Sequence, residues 1–191
     1  HLLRSLVLKA SSLMSTDSAS AVDALLAPLP DACKDLRLNM STMLRGSGID
    51  QPTTYCSAIA VAYFVGAKAL AEALRADSAS LLSAEEVTDA EAAAALMGMT
   101  TVYYKSRELL GKPTYGQMRP SLRMNRMMSP VSRQRYEAAS FACAAVAACP
   151  ACLQSHEAKL LETGLSEAAV HDLIRLAAVV HGASIALGIV N

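Results

Sequence analysis

Helix start and stop signals divide this chain into apolar segments of helical spacing and leave almost no room for strands. Ser83 and Glu86 form a capping box before one such segment, and Gly111 follows its expected end near residue 110. Further helices are predicted over about 31–45, 52–77, 132–148, 150–163 and 166–188. The pattern predicts an all-α protein, built as a helical bundle.

The composition supports a closely packed bundle. Hydrophobic residues make up 53% of the 191-residue chain, but only 4% of residues are aromatic and none is Trp. The apolar material is therefore mostly Ala, Leu, Val and Met, and small Ala side chains let helices approach closely. A chain of this length fits one domain, or two halves that share a core.

The predicted organisation is a single all-helical domain over 21–191, preceded by an N-terminal segment, 1–20, of uncertain origin. Within the domain, 112–130 is a Gly-, Pro-, Met- and Arg-rich connector with room for one short helix. It separates a scaffold half, 21–111, from a catalytic half, 131–191.

The two halves show a weak internal similarity. Leu82-Ser83 and Leu165-Ser166 each start an apolar helix, and an Ala-rich helix precedes each pair. Helical duplication and coincidence between Ala-rich helices are both open interpretations. In this alignment Cys149, Cys152 and His156 lie opposite Lys68, Ala71 and Arg75, so the chemistry would be confined to the second half.

Charge and cysteine content exclude several functional classes. The formal net charge is zero, so the basic surface that nucleic acids require is not expected. The longest uncharged stretch, 138–155, is shorter than the roughly 20 residues of a membrane span and contains Pro150. Five cysteines, three of them between 143 and 152, suggest a reducing, cytoplasmic compartment with one specialised dithiol.

Residues 1–16 carry Arg4 and Lys9 but no acid, so organellar targeting stays open, as does a natural start at Met14.

The most reactive segment is expected to be Cys149-Pro150-Ala151-Cys152, followed by His156. A C-x-x-C pair can exchange between dithiol and disulfide with little backbone movement. Pro150 favours the first helical position, which makes Cys149 the N-cap and places Cys152 in the first turn. We expect the helix N-terminus to lower the thiol pKa there, and His156 to share the same helix face.

Glu137 is the only formal charge between Tyr136 and Ser155, in a segment that must be largely buried. A buried carboxylate is costly unless it is paired or functional, and burial raises its pKa. We therefore expect Glu137 to have a raised pKa and to lie within reach of Cys149 or His156.

The spacing Glu137, Cys149-x-x-Cys152, His156 resembles the signature of the alkyl hydroperoxidase D family, within the carboxymuconolactone decarboxylase-like group. Segments 34–39, 97–104 and 119–125 resemble the longer members of that family, and the resemblance covers about 24–188. It implies a helical bundle of that type, a homo-oligomer that is typically a trimer, and reduction of organic hydroperoxides in antioxidant defence.

The resemblance also implies roles for single residues. Cys152 would attack the peroxide, Cys149 would resolve the product to a redox disulfide, and Glu137 and His156 would relay protons. No cofactor or metal is implied. Electrons would come from a lipoylated acyltransferase subunit with dihydrolipoamide dehydrogenase, and a peroxiredoxin is a further implied partner. Ala151 departs from the pattern, because a family member has His between the cysteines.

Several alternatives remain at this stage. The dithiol could serve a disulfide reductase or electron adaptor for a peroxiredoxin. Glu137 and His156 could serve a non-redox decarboxylase of the carboxymuconolactone type, or the chain could be a non-catalytic oligomeric scaffold. A structural zinc site would need a second ligand pair, which the sequence lacks. Cys33, Cys56 and Cys143 fit core roles better than catalysis.

Overall fold

The structure, a computed structural model, describes residues 20–46 and 48–190. The predicted N-terminal segment, apart from Ser20, lies outside the described residues. Within them every regular element is helical and there is no strand, which confirms the all-α prediction. The α-helices are α1 Ala21–Leu26, α2 Lys34–Arg45, α3 Gln51–Phe64, α4 Lys68–Asp77, α5 Ala84–Leu110, α6 Pro113–Gln117, α7 Arg133–Ala147, α8 Pro150–Glu162 and α9 Glu167–Val190, with 3-10 turns at Asp31–Cys33 and Asn125–Met128.

The core forms around α3 and α7. These two helices pack against each other, and each also packs against α5 and α9. Their buried residues are mostly small, such as Ala58 and Ala60 on α3 and Ala138 and Ala142 on α7. Small side chains allow the close approach that the Ala-rich composition predicted.

The predicted start signals are found where the sequence placed them. The Ser83 hydroxyl accepts from the Glu86 N–H, and the Glu86 carboxylate accepts from the Ser83 N–H, which completes the capping box. The α5 helix ends at Gly111, which has a left-handed φ of 62°. Cys149 is the N-cap of α8 and Pro150 is its first residue, as predicted.

The single helix predicted over about 52–77 is wrong, because the chain breaks between α3 and α4. Gly66 has a φ of 76°, and the Ala67 N–H donates to the Ala62 carbonyl at 2.8 Å, which closes α3 with a left-handed turn. The apolar, Ala-rich residues on both sides of Gly66 continue a helical pattern, so the sequence does not show where the helix ends. The short α1 was also not predicted, and the connector contains a 3-10 turn besides its one short helix.

The units α3–α5 and α7–α9 share their helix order and their first turn. Ala148 has a φ of 49°, and the Cys149 N–H donates to the Ala144 carbonyl at 3.2 Å, as Ala67 does to Ala62 after Gly66. Aligned on this turn, Cys149 corresponds to Ala67, Cys152 to Leu70 and His156 to Leu74. The predicted register is therefore off by one residue.

In each unit, an aspartate on the long helix accepts a hydrogen bond from the backbone just before the first helix of the other unit. Asp89 Oδ2 accepts from the Val131 N–H at 2.7 Å, just before α7. Asp172 Oδ2 accepts from the Gly48 N–H, also at 2.7 Å, just before α3. These matching contacts agree with the duplication interpretation.

One described helix, α9, is long and apolar enough by length and composition to cross a membrane. It packs against α2, α3 and α7, and Leu173, Leu176 and Val180 are buried in the core. Core helices of soluble proteins share this composition, so α9 is weak evidence for membrane insertion.

Candidate active site

The dithiol lies at the turn between α7 and α8. The left-handed Ala148 ends α7, and Cys149 follows in an extended conformation with φ −101° and ψ 100°. Cys152 is in the first turn of α8, three residues after Cys149. Cys149 is fully buried, whereas Cys152 is 6% exposed. All five cysteines are free thiols in this structure.

Glu137 on α7 and His156 on α8 form a buried pair. His156 Nδ1 and Glu137 Oε2 are 2.6 Å apart, and the residues are 5% and 1% exposed. The expectation that Glu137 lies within hydrogen-bond reach of His156 is confirmed. Because Nδ1 is engaged with the carboxylate, Nε2 is the ring nitrogen left for proton exchange.

Two cations that the sequence analysis missed also contact Glu137. Arg133 Nη2 is 2.8 Å and Lys159 Nζ is 3.7 Å from Glu137 Oε1. Arg133 precedes Glu137 by one helical turn, and Lys159 follows His156 by three residues. This i, i+4 and i, i+3 spacing was a signal that could have found them.

The pKa of Glu137 is lowered from its ordinary value of 4.5, so the expected raised pKa is wrong. Burial raises it, but the hydrogen bond from His156 and the charges of His156, Lys159 and Arg133 together outweigh burial. The sequence showed a lone acid in an apolar helix, and its partners come from the adjoining turn of α7 and from α8.

The expected lowering of the thiol pKa is also wrong for Cys152. Burial, the hydrogen bond and charge of Cys149, and the charge of Glu108 raise the pKa of Cys152 to about 12. The helix N-terminus does favour a thiolate, but it acts on a sulfur that is largely withdrawn from water. Deprotonation of Cys152 therefore calls for a nearby base.

A cavity of about 370 Å³ joins these groups. Cys152, His156 and Glu137 line it, but Cys149 does not. The remaining lining residues are Thr100, Tyr104, Met124, Met127, Met128, Arg133, Ala151, Ser155 and Lys159. The cavity brings a thiol and an acid–base pair to one mostly apolar surface, and the small Ala151 between the two cysteines also lines it.

The other cysteines do not contribute to this cavity. Cys33, Cys56 and Cys143 are absent from its lining, and burial raises the pKa of Cys56 to about 12. Over 20–46 and 48–190, no group of three or more His, Cys, Asp or Glu residues is arranged to hold a metal ion.

Comparisons with known proteins identify the family of this chain. The model of the carboxymuconolactone decarboxylase family matches residues 113–190. A relative named alkyl hydroperoxide reductase AhpD, from Anaeromyxobacter sp. (strain Fw109-5), is 41% identical over 169 residues, which cover 88% of this chain and 91% of the relative. Proteins of the same name from Rhodospirillum centenum and Streptomyces griseus are 36% and 33% identical, over 87% of this chain and 90% and 95% of theirs. The chain therefore belongs to the alkyl hydroperoxide reductase AhpD family, within the wider carboxymuconolactone decarboxylase family.

Proposed function

We propose that the protein is a thiol-dependent peroxidase that reduces organic hydroperoxides through a Cys149–Cys152 dithiol cycle. The observation that carries this proposal is the single cavity that Cys152, His156 and Glu137 line together with apolar side chains. The name of its relatives, alkyl hydroperoxide reductase, supports the same substrate class.

In the first step the Cys152 sulfur bonds to the terminal peroxide oxygen while the O–O bond breaks. The products are a sulfenic acid on Cys152 and an alcohol. The thiol proton passes to the leaving alkoxide through His156, whose other nitrogen is held by Glu137 at 2.6 Å. Because the pKa of Cys152 is raised, its thiol needs a base to take the proton, and His156 would be that base.

In the second step the Cys149 sulfur attacks the Cys152 sulfenic acid. The S–S bond forms, the S–O bond breaks, and the oxygen leaves as water with the Cys149 proton. The positions of Cys149 at the N-cap and Cys152 in the first turn of α8 support this step, because a C-x-x-C pair can form a disulfide with little backbone movement.

Two electrons from an external dithiol return the disulfide to the starting state. We propose a lipoylated acyltransferase subunit, itself reduced by dihydrolipoamide dehydrogenase, as the donor, acting in a reducing cytoplasmic compartment. A lipoyl group is a slender dithiol arm, and Cys152, which is 6% exposed, lines the cavity that such an arm would enter. No bound cofactor is required, and the working form is a homo-oligomer, which we propose to be a trimer.

One observation favours a second function, that of an electron adaptor for a peroxiredoxin. A thiol with its pKa raised to about 12 reacts slowly with peroxide unless the base is well placed. In that case the dithiol would accept electrons from the lipoyl group and pass them to a peroxiredoxin disulfide.

Stopped-flow oxidation of the reduced protein by cumene hydroperoxide separates the two functions. A peroxidase loses two thiols per chain and regains them when a reduced lipoyl domain is added. Cys152→Ser should not react, while Cys33→Ser, at a partly exposed thiol outside the cavity, should behave as the parent. Inert thiols that an oxidised peroxiredoxin nevertheless oxidises would indicate the adaptor.

A further inference from the structure

We propose that residues 124–128, here called the methionine turn, form the subsite for the organic group of the hydroperoxide, and that Asp89 is the residue that positions them. The inference rests on the proposed function and adds to it a preference among peroxide substrates. Hydroperoxides with an apolar organic group are favoured over hydrogen peroxide.

Three of the five residues in the methionine turn line the cavity that Cys152 lines. Met124 and Met127 are partly buried, and Met128 is 79% exposed. Unbranched thioether side chains adapt their shape to irregular apolar groups. Hydrogen peroxide has no such group, so contact with these methionines separates the two kinds of substrate.

The methionine turn has little stability of its own. Its 3-10 segment, Asn125–Met128, contains no buried residue and has no side-chain cap. A segment without a buried residue needs further attachments to keep one position. Its place in the cavity that Cys152 lines therefore depends on contacts with the rest of the chain.

Asp89 on α5 provides two of these attachments. Its carboxylate is 3% exposed, and Oδ1 accepts from Arg126 Nε at 2.6 Å and Nη2 at 2.5 Å. Oδ2 accepts from the Val131 N–H at 2.7 Å. A buried charge persists when it is fully paired, and here the pairing holds the chain on both sides of Met128.

A third attachment connects the methionine turn to the acid–base pair. Arg133 Nη1 donates to the Met127 carbonyl at 3.0 Å, and Arg133 Nη2 lies 2.8 Å from Glu137 Oε1. The methionine turn is thus attached both to α5, through Asp89, and to the Glu137–His156 pair, through Arg133.

The test compares Asp89→Asn with a matched control, Asp172→Asn. Asp89 accepts from Arg126 with Oδ1 and from Val131 with Oδ2, and in asparagine one of these two positions becomes an NH2 donor, so one of the two contacts is lost. Asp172 makes the equivalent backbone contact with Gly48, at 2.7 Å, and does not line the cavity. The readout is the second-order rate constant of Cys152 oxidation with cumene hydroperoxide, divided by that with hydrogen peroxide.

We expect this ratio to fall about tenfold in Asp89→Asn, the size of effect that loss of a small apolar contact has on discrimination. It should keep the parent value in Asp172→Asn. A residue with a merely structural role would lower both rate constants together and leave the ratio unchanged.

Met127→Gln is the second test variant, for use if Asp89→Asn does not fold. It keeps the side-chain length and removes the apolar character. Its ratio should fall in the same direction. Parent-like ratios in both variants would overturn the inference and leave the peroxidase proposal intact. A parent protein that neither peroxide oxidises would instead refute the proposed function, and the inference with it.

Discussion

Glu137 is a buried acid that the surrounding cations keep ionised. In Glu137→Gln the side chain keeps its size, but it no longer holds His156 as a carboxylate does. We expect oxidation of the thiols by peroxide to slow about tenfold or more, the usual contribution of a general acid–base group. Stopped-flow measurement on folded protein checks this, and a parent-like rate would make Glu137 only a structural acid.

The lowered pKa of Glu137 also predicts a dependence of stability on pH. Because the folded pKa lies below its ordinary value of 4.5, ionised Glu137 stabilises the fold above that pH, and the contribution is lost as pH falls through the folded pKa. Urea midpoints measured from about pH 7 to about pH 3 should fall less steeply in Glu137→Gln than in the parent. Parallel curves would contradict the shift.

The two sulfurs differ in access to the cavity. Cys152 is 6% exposed and lines the cavity, whereas Cys149 is fully buried and does not. In Cys149→Ser, peroxide should leave a trappable sulfenic acid on Cys152 and no intramolecular disulfide. In Cys152→Ser, peroxide reactivity should nearly vanish. If dimedone labels Cys149 in Cys152→Ser as fast as it labels Cys152 in Cys149→Ser, the order is reversed.

At the scale of the helices, the sequence correctly predicted those helix starts that depend on local signals. Ser83 and Glu86 define the start of α5, and Pro150 sets the start of α8, because capping and proline geometry depend on near neighbours. The break between α3 and α4 was missed. Gly66 was the available signal, but the apolar residues on both sides continue a helical pattern, and only packing decides where such a run turns.

The two equivalent turns give a paired prediction about backbone strain. A Cβ at Gly66 would meet nothing within 4 Å, so Gly66→Ala tests only the cost of its φ of 76°. We expect Gly66→Ala to destabilise the fold by about 1 kcal/mol and Ala148→Gly to stabilise it by a similar amount. Urea unfolding measures both. Changes of the same sign would contradict the equivalence of the turns.

At the scale of the whole molecule, the enclosure of the site could not be predicted from the sequence. The spacing of Glu137, Cys149, Cys152 and His156 pointed to a reactive cluster. Glu137 pairs with Lys159, and Met127 lines the same cavity as Cys152, and both facts depend on how α7, α8 and the connector pack together. Tertiary contacts of this kind also reversed both expected pKa shifts. Partner groups outweigh burial at Glu137, and burial outweighs the effect of the helix N-terminus at Cys152.

The outer surface of α9 bears directly on the proposed assembly. Ile174, Ile185 and Ile189 are 44%, 57% and 69% exposed and fall on one side of the helix. A single exposed isoleucine is ordinary, but an apolar stripe along a helix usually has a partner.

We therefore expect a homo-oligomer. The family resemblance implies a trimer, which light scattering at micromolar concentration would show as three times the 20.1 kDa of one chain. Ile185→Glu places a charge in the middle of the stripe and should shift the mass towards that of one chain, because a charge buried without a partner disfavours assembly. Leu38→Glu, at a leucine that is 56% exposed on α2, adds the same charge outside the stripe and should leave the mass unchanged. A parent protein that scatters as a single chain would refute the oligomer, and an Ile185→Glu protein that still assembles would exclude the α9 stripe as its interface.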